Sequence, residues 1–121
     1  MKTIIHKKIY VNADLSLLKV LLENLLGNAW KYTQYKNQSI IEVKIESQNN
    51  KNVVVIQDNG VGFDMQYADR LFVAFKRLHG NEFEGTGIGL ATVHQIVEKH
   101  GGKIWAEAST GKGAAFYFYL R

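Results

Sequence analysis

Apolar and polar positions alternate along this chain in two rhythms. From Leu15 to about Tyr32, Leu15, Leu18, Leu22, Leu25, Leu26 and Ala29 recur every three or four residues. That spacing predicts a long amphipathic helix, with Asp14 as its N-cap. The rhythm returns from Ile88 to His100 at Leu90, Val93, Ile96 and Val97, and Gly101-Gly102 ends it. Between the two, Ile41, Val43 and Ile45 alternate with Glu42, Lys44 and Glu46, the period-two pattern of a half-buried strand. Lys2 to Val11, Val53 to Ile56 running out at Gln57-Asp58, Ile104 to Ala108 and Ala114 to Leu120 also read as strands. Gln48 to Asn52 is a polar hairpin turn, and Thr110 to Gly113 is a second turn. Residues 33–38 form a loop and 59–68 are irregular. Asp69 caps a short helix through Ala74, and residues 76–87 are a glycine-bearing loop. The predicted order is β-α-β-β-α-α-β-β. Strands joined by tight turns imply a mixed, mainly antiparallel sheet with the helices on one face, an α+β two-layer sandwich.

Composition narrows the picture without changing it. The 121 residues fit one domain spanning 1–121, with 46% apolar and 21% charged residues. Cysteine is absent, which excludes disulfide frameworks and thiolate metal sites. No apolar run approaches the roughly 20 residues of a membrane span, and no signal peptide is visible. The net charge of +4 is spread along the chain rather than clustered. That distribution argues against nucleic acid as a partner. The chain has 11 glycines and no proline, so the glycine positions carry information.

Four stretches carry candidate chemistry. Asn24, Asn28 and Tyr32 are spaced i, i+4, i+8 on the first helix, with Lys31 beside them. Carboxamide oxygens suit Mg²⁺ and a lysine suits phosphate, although a solvent-facing helix edge has the same spacing. Asp58-Asn59-Gly60-Val61-Gly62 follows a buried strand. Its carboxylate suits an exocyclic amine, and its glycines suit a close ligand or a plain Asx turn. Gly85-Thr86-Gly87-Ile88-Gly89-Leu90 opens the second long helix, where backbone amides and the helix dipole favour anions. It lacks the spacing of the dinucleotide fingerprint and of the P-loop. In Leu71 to Leu78, Phe72 and Phe75 bury while Lys76 and Arg77 stand at the mouth of the following loop.

Taken together and in order, these stretches resemble the N, G1, F and G2 boxes of sensor histidine kinases. The likeness covers about Asp14 to Leu120. The family is the ATP-binding catalytic domain of two-component histidine kinases, whose Bergerat-type fold is shared with DNA gyrase, the MutL mismatch-repair protein and heat-shock chaperones. The resemblance implies that Asn28 ligates Mg²⁺ with Asn24 assisting, that Lys31 meets phosphate, and that Tyr32 lies against the nucleotide. Asp58 would accept the adenine amine, with Gly60 and Gly62 at the purine floor. Lys76 and Arg77 would stabilise the transferring phosphoryl group. Gly85, Thr86, Gly87, Gly89 and Leu90 would line the phosphate end, and Gly80, Gly85 and Gly87 would hinge a lid over residues 76–87. Six of the 11 glycines thus fall at the expected nucleotide site.

Three departures qualify the likeness. The related ATPases carry a glutamate where this chain has Asn24. Glu23 is adjacent but about 100° around the helix, which argues against hydrolysis as the main activity and leaves Glu23 as a candidate base. Ala114 and Ala115 stand where the family often has Thr or Ser. No phosphoacceptor motif surrounds His6, His79, His94 or His100. The acceptor histidine is therefore expected on a separate dimerisation domain of a longer receptor, with a response regulator downstream. The resemblance further implies a cytoplasmic domain with no membrane contact of its own. A non-catalytic nucleotide-sensing or scaffold module of the same fold is the alternative.

Overall fold

A computed structural model describes residues 2–5, 15–33, 38–65 and 89–120. Within them the elements run β1 (Lys2–Ile5), α1 (Leu15–Thr33), β2 (Ile40–Gln48), β3 (Lys51–Asp58), α2 (Gly89–Lys99), β4 (Lys103–Ser109) and β5 (Gly113–Tyr119). The expected short helix at Asp69–Ala74, the strand beyond Ile5 and the Asp14 cap lie outside the described residues. The strands form one sheet in the order β1-β2-β3-β5-β4. β1 pairs parallel with β2, across a connection that contains α1, and every other pairing is antiparallel. The mixed, mainly antiparallel sheet with helices on one face is therefore present.

The helical layer and the sheet meet through period. Ile41, Val43, Val54, Ile56, Ile104, Ala106, Phe116 and Phe118 form the inner sheet face. Leu21, Leu25 and Ala29 of α1 and Val93, Ile96 and Val97 of α2 pack onto it. Leu21 is fully buried although the predicted stripe ran through Leu18 and Leu22, which are only half-buried. Apolar residues at 17, 18, 20, 21 and 22 leave the helical phase ambiguous, and packing selects the stripe.

The outer sheet face supplies its own cover. Val53, Val55 and Ala115 are buried there, with Trp105, Tyr117 and Tyr119 packed against them. Trp105 stacks on Tyr117 with centroids 5.4 Å apart and planes 4° from parallel, and the Tyr119 ring meets Trp105 edge-on. The Lys51 ammonium sits 4.2 Å from the Tyr119 centroid. Val53 to Ile56 is an unbroken apolar run because both faces of β3 are covered.

The turns follow local chemistry. Asn49 and Asn50 both have positive φ, as a two-residue I′ hairpin turn requires. The turn is narrower than the expected Gln48–Asn52, because the polar ends of β2 and β3 pair as strand. α2 stops at Gly101, whose φ is +68. The Gly101 N–H donates to the Glu98 carbonyl and the Gly102 N–H to that of Val97, the two bonds of a Schellman motif. No helix among the described residues is long and apolar enough to cross a membrane.

Candidate functional site

The last turn of α1 leaves carbonyls without intrahelical donors, and side chains and a neighbouring loop satisfy them. Thr33, fully buried, donates its hydroxyl to the carbonyls of Ala29 at 2.9 Å and Trp30 at 3.1 Å. The Ser39 hydroxyl donates to the Thr33 carbonyl at 2.8 Å. The Tyr32 carbonyl accepts from the Val61 N–H at 3.0 Å. That bond ties the helix bearing Asn24, Asn28 and Lys31 to the loop after Asp58.

The loop is fixed from its other sides as well. Asn59 extends the β2–β3 pairing: its N–H donates to the Ile40 carbonyl, its Oδ1 accepts from the Ile40 N–H at 2.9 Å, and its Nδ2 donates to the Gln38 carbonyl. The Gly111 N–H donates to the Val61 carbonyl at 2.6 Å. A Cβ at Gly60 would overlap the Tyr32 carbonyl. Gly62, at φ +65, abuts the backbone of Ser109 and Gly113, so the chain's own turn fills the space a side chain would take there.

Asp58 ends β3 on the inner face and is only 6% exposed. Its Oδ1 accepts from the Gly60 N–H at 2.8 Å, and the carboxyl also accepts from the backbone of Ala114. Burial pushes this carboxyl up to about 6 from the ordinary 3.8, against the opposing pull of those two amides. The Tyr32 phenol is raised too, first by burial and then by the negative charge of Asp58. The structure thus brings Tyr32, Asp58, Gly60 and Gly62 together. A desolvated carboxylate on a rigid strand end is a strong acceptor for an N–H donor.

The remaining predicted residues divide by place. Asn24, Asn28 and Lys31 are half-buried along α1, and Glu23 is exposed. The Asn24 Nδ2 donates to the Val20 carbonyl at 2.9 Å, leaving its Oδ1 as the atom available to a ligand. Among the described residues no three His, Cys, Asp or Glu cluster as metal ligands. A carboxamide set of this kind fits Mg²⁺ shared with phosphate and water better than an all-protein cage. Gly89 opens α2, and Leu90 packs half-buried against the core. Lys76, Arg77, Gly80, Gly85, Thr86 and Gly87 lie outside the described residues, as do His6 and His79. His94 faces Glu98 at 3.3 Å, and the His100 ring meets the Ile96 carbonyl at 2.9 Å.

Three participants were not foreseen from sequence: Thr33, the Asn59 side chain and the β4–β5 turn. Closely spaced Gly111 and Gly113 were the one available signal for the last.

Residues 13–121 match the family described as histidine kinase-, DNA gyrase B-, and HSP90-like ATPase. The chain is 41% identical over 111 residues to phytochrome-like protein Cph1 of Synechocystis sp., covering 91% of this chain and 15% of that protein. It is 30% identical over 118 residues to sensor protein kinase WalK of Staphylococcus epidermidis, covering 95% of this chain and 19% of that protein. Among solved structures, a mycobacterial sensor histidine kinase, MprB, superposes with a TM-score of 0.83 at 28% identity, over 98% of this chain and 80% of that one. Full-length ShkA, solved in complex with AMPPNP, superposes with a TM-score of 0.77 at 25% identity over 97% of this chain and 24% of that one. The chain belongs to the histidine kinase-, DNA gyrase B- and HSP90-like ATPase family, and within it to the ATP-binding catalytic domains of sensor histidine kinases.

Proposed function

We propose that residues 1–121 are one ATP-binding domain of a longer cytoplasmic signalling receptor. The domain binds Mg²⁺-ATP and presents the γ-phosphate to a histidine on a dimerisation domain elsewhere in that protein, from which a response regulator receives it. The observation that carries the reading is the buried Asp58 carboxylate tied, through Val61 and Tyr32, to the helix bearing Asn24, Asn28 and Lys31. Similarity to a histidine kinase solved with AMPPNP supports it.

In this reading Asp58 accepts the adenine amine, which selects the base and orients it. Tyr32 lies beside it, with Gly60 and Gly62 letting the loop pack closely on the Tyr32, Ser109 and Gly113 backbone behind the base. The Asn28 and Asn24 side-chain oxygens would hold Mg²⁺, which would supply charge neutralisation at the phosphates. Lys31, and Lys76 with Arg77, stabilise charge on the phosphoryl oxygens as it shifts during transfer. Amides of Gly85, Thr86, Gly87, Gly89 and Leu90 receive the phosphates at the α2 end. The exposed Glu23 is the carboxylate available to accept a proton from the incoming imidazole. Positioning supplies most of the rate, since the acceptor is a separate nucleophile.

Calorimetric titration of ATP into the wild type, Asp58→Ala and Asn28→Ala, with Mg²⁺ and with EDTA, tests the assignment. Loss of a charge-assisted hydrogen bond predicts roughly 10–100-fold weaker binding in Asp58→Ala under both conditions. Asn28→Ala should weaken binding only with Mg²⁺ present. Wild type that fails to bind ATP, or Asp58→Ala that binds as tightly, sinks the assignment. Adding a cognate dimerisation domain with labelled ATP should yield Asn28-dependent phosphohistidine.

A further inference from the structure

The turn between β4 and β5 meets the Asp58 loop through close backbone contacts. The Gly111 N–H donates to the Val61 carbonyl. Gly62 abuts the carbonyls of Ser109 and Gly113. Gly113, at φ +94, has the Asp58 carbonyl where a Cβ would stand, with the Asn59 Cα 3.1 Å from that point. The next residue, Ala114, pairs with Asp58 in the β3–β5 register and donates its N–H to the Asp58 carboxyl.

We propose that the β4–β5 turn positions the Asp58 carboxylate for nucleotide recognition, with Gly113 as the positioning residue. This rests on the reading that Asp58 meets the base. The physical basis is stiffness. A flexible side chain between turn and loop would absorb a displacement, whereas backbone against backbone transmits it. Gly113→Ala cannot keep both the turn and the Asp58 carbonyl in place. The strand end moves, and the Ala114 N–H no longer reaches the carboxyl. On the opposite side the loop is held by Tyr32 and Ile40 through Val61 and Asn59, so the carboxylate tilts rather than translating with its support. The base contact is then lost while the phosphate and metal residues of α1 stay where they were.

That separation sets the experiment. Affinities for ATP and for inorganic tripolyphosphate, which lacks a base, are measured with Mg²⁺ for the wild type, Gly113→Ala and Gly101→Ala. Gly101 has φ +68 at the far end of α2, so its alanine variant carries positive-φ strain away from Asp58. Gly113→Ala should bind ATP about tenfold or more weakly, the range of a lost charge-assisted hydrogen bond, with tripolyphosphate affinity unchanged. Its Asp58 carboxyl, followed by NMR, should titrate above the wild-type midpoint. Gly101→Ala should lower Tm but leave both affinities at wild-type values. Gly113→Ala binding ATP as tightly as Gly101→Ala overturns the proposal, and so does equal weakening toward ATP and tripolyphosphate.

If Gly113→Ala fails to fold, the wild type still decides. The Ala114 amide resonance should follow the same titration as the Gly60 amide, near pH 6, and both should shift when ATP binds. An Ala114 amide that ignores the titration overturns the proposal. Wild type and Asp58→Ala binding ATP equally would instead remove the underlying site reading.

Discussion

Asp58→Asn should stabilise this domain at pH 8 and lose that advantage as the solution is acidified. The wild-type carboxyl titrates near 6 in the fold, because burial penalises its charge, and near 3.8 when exposed. A carboxyl raised in this way binds more protons folded than unfolded between those two values. Stability therefore falls as pH rises from about 4 through 6, the reverse of the usual salt-bridged Asp. Ionisation costs roughly 3 kcal/mol at about 1.4 kcal/mol per pH unit. Asparagine removes that cost but meets the Gly60 and Ala114 amides with one oxygen instead of two, forfeiting about 1 kcal/mol. The expected net gain at pH 8 is about 2 kcal/mol, turning into a small loss below pH 4. Urea unfolding of both proteins from pH 4 to 8 reads the difference directly. A gap that stays constant across that range, or wild type gaining on the variant as pH rises, would refute a buried carboxyl near 6. The same variant should bind ATP poorly, so the site's function and the fold's stability pull in opposite directions.

Two further outcomes follow from the packing. Trp105→Ala strips the cover from Val53, Val55 and Ala115 on the outer sheet face, and should cost about 3 kcal/mol in urea unfolding with ATP affinity unchanged. Thr33→Val keeps the volume of a fully buried side chain but removes its donor to the Ala29 and Trp30 carbonyls, and should cost about 1–3 kcal/mol in thermal or urea unfolding.

Much of this was legible along the chain because one residue's neighbours in sequence decided it. Ile41 and Val43 alternate with Glu42 and Lys44, and the structure buries the first pair on the inner face. The same alternation fails at Ile45, 37% exposed. Both helices stand within a residue or two of their predicted limits, since Gly101 and Gly102 set one end by backbone conformation alone. What stayed hidden depends on partners distant in sequence. The apolar run of β3 marked a buried strand, but its outer cover comes from Trp105, Tyr117 and Tyr119, which only the β3-β5-β4 order brings across it. The Asp58 motif is visible, yet the burial that raises its carboxyl, the opposing amide of Ala114 and its effect on the Tyr32 phenol all come from the folded chain. The sequence around Gly62 suggests room for a ligand, whereas its φ and the backbone of Ser109 and Gly113 already require glycine. The lid glycines and the Lys76–Arg77 pair lie outside the described residues.

The hydrogen bond from Val61 to the Tyr32 carbonyl makes the site a ruler with fixed marks. In the proposed reading one mark is Asp58, which would meet the base, the others are Asn24, Asn28 and Lys31 on the helix, and main chain joins them. Changing a side chain at either end alters how hard that mark grips, but not the spacing between marks. A purine nucleotide with a longer or shorter link between base and phosphates would have to give up one end, however tightly it held the other.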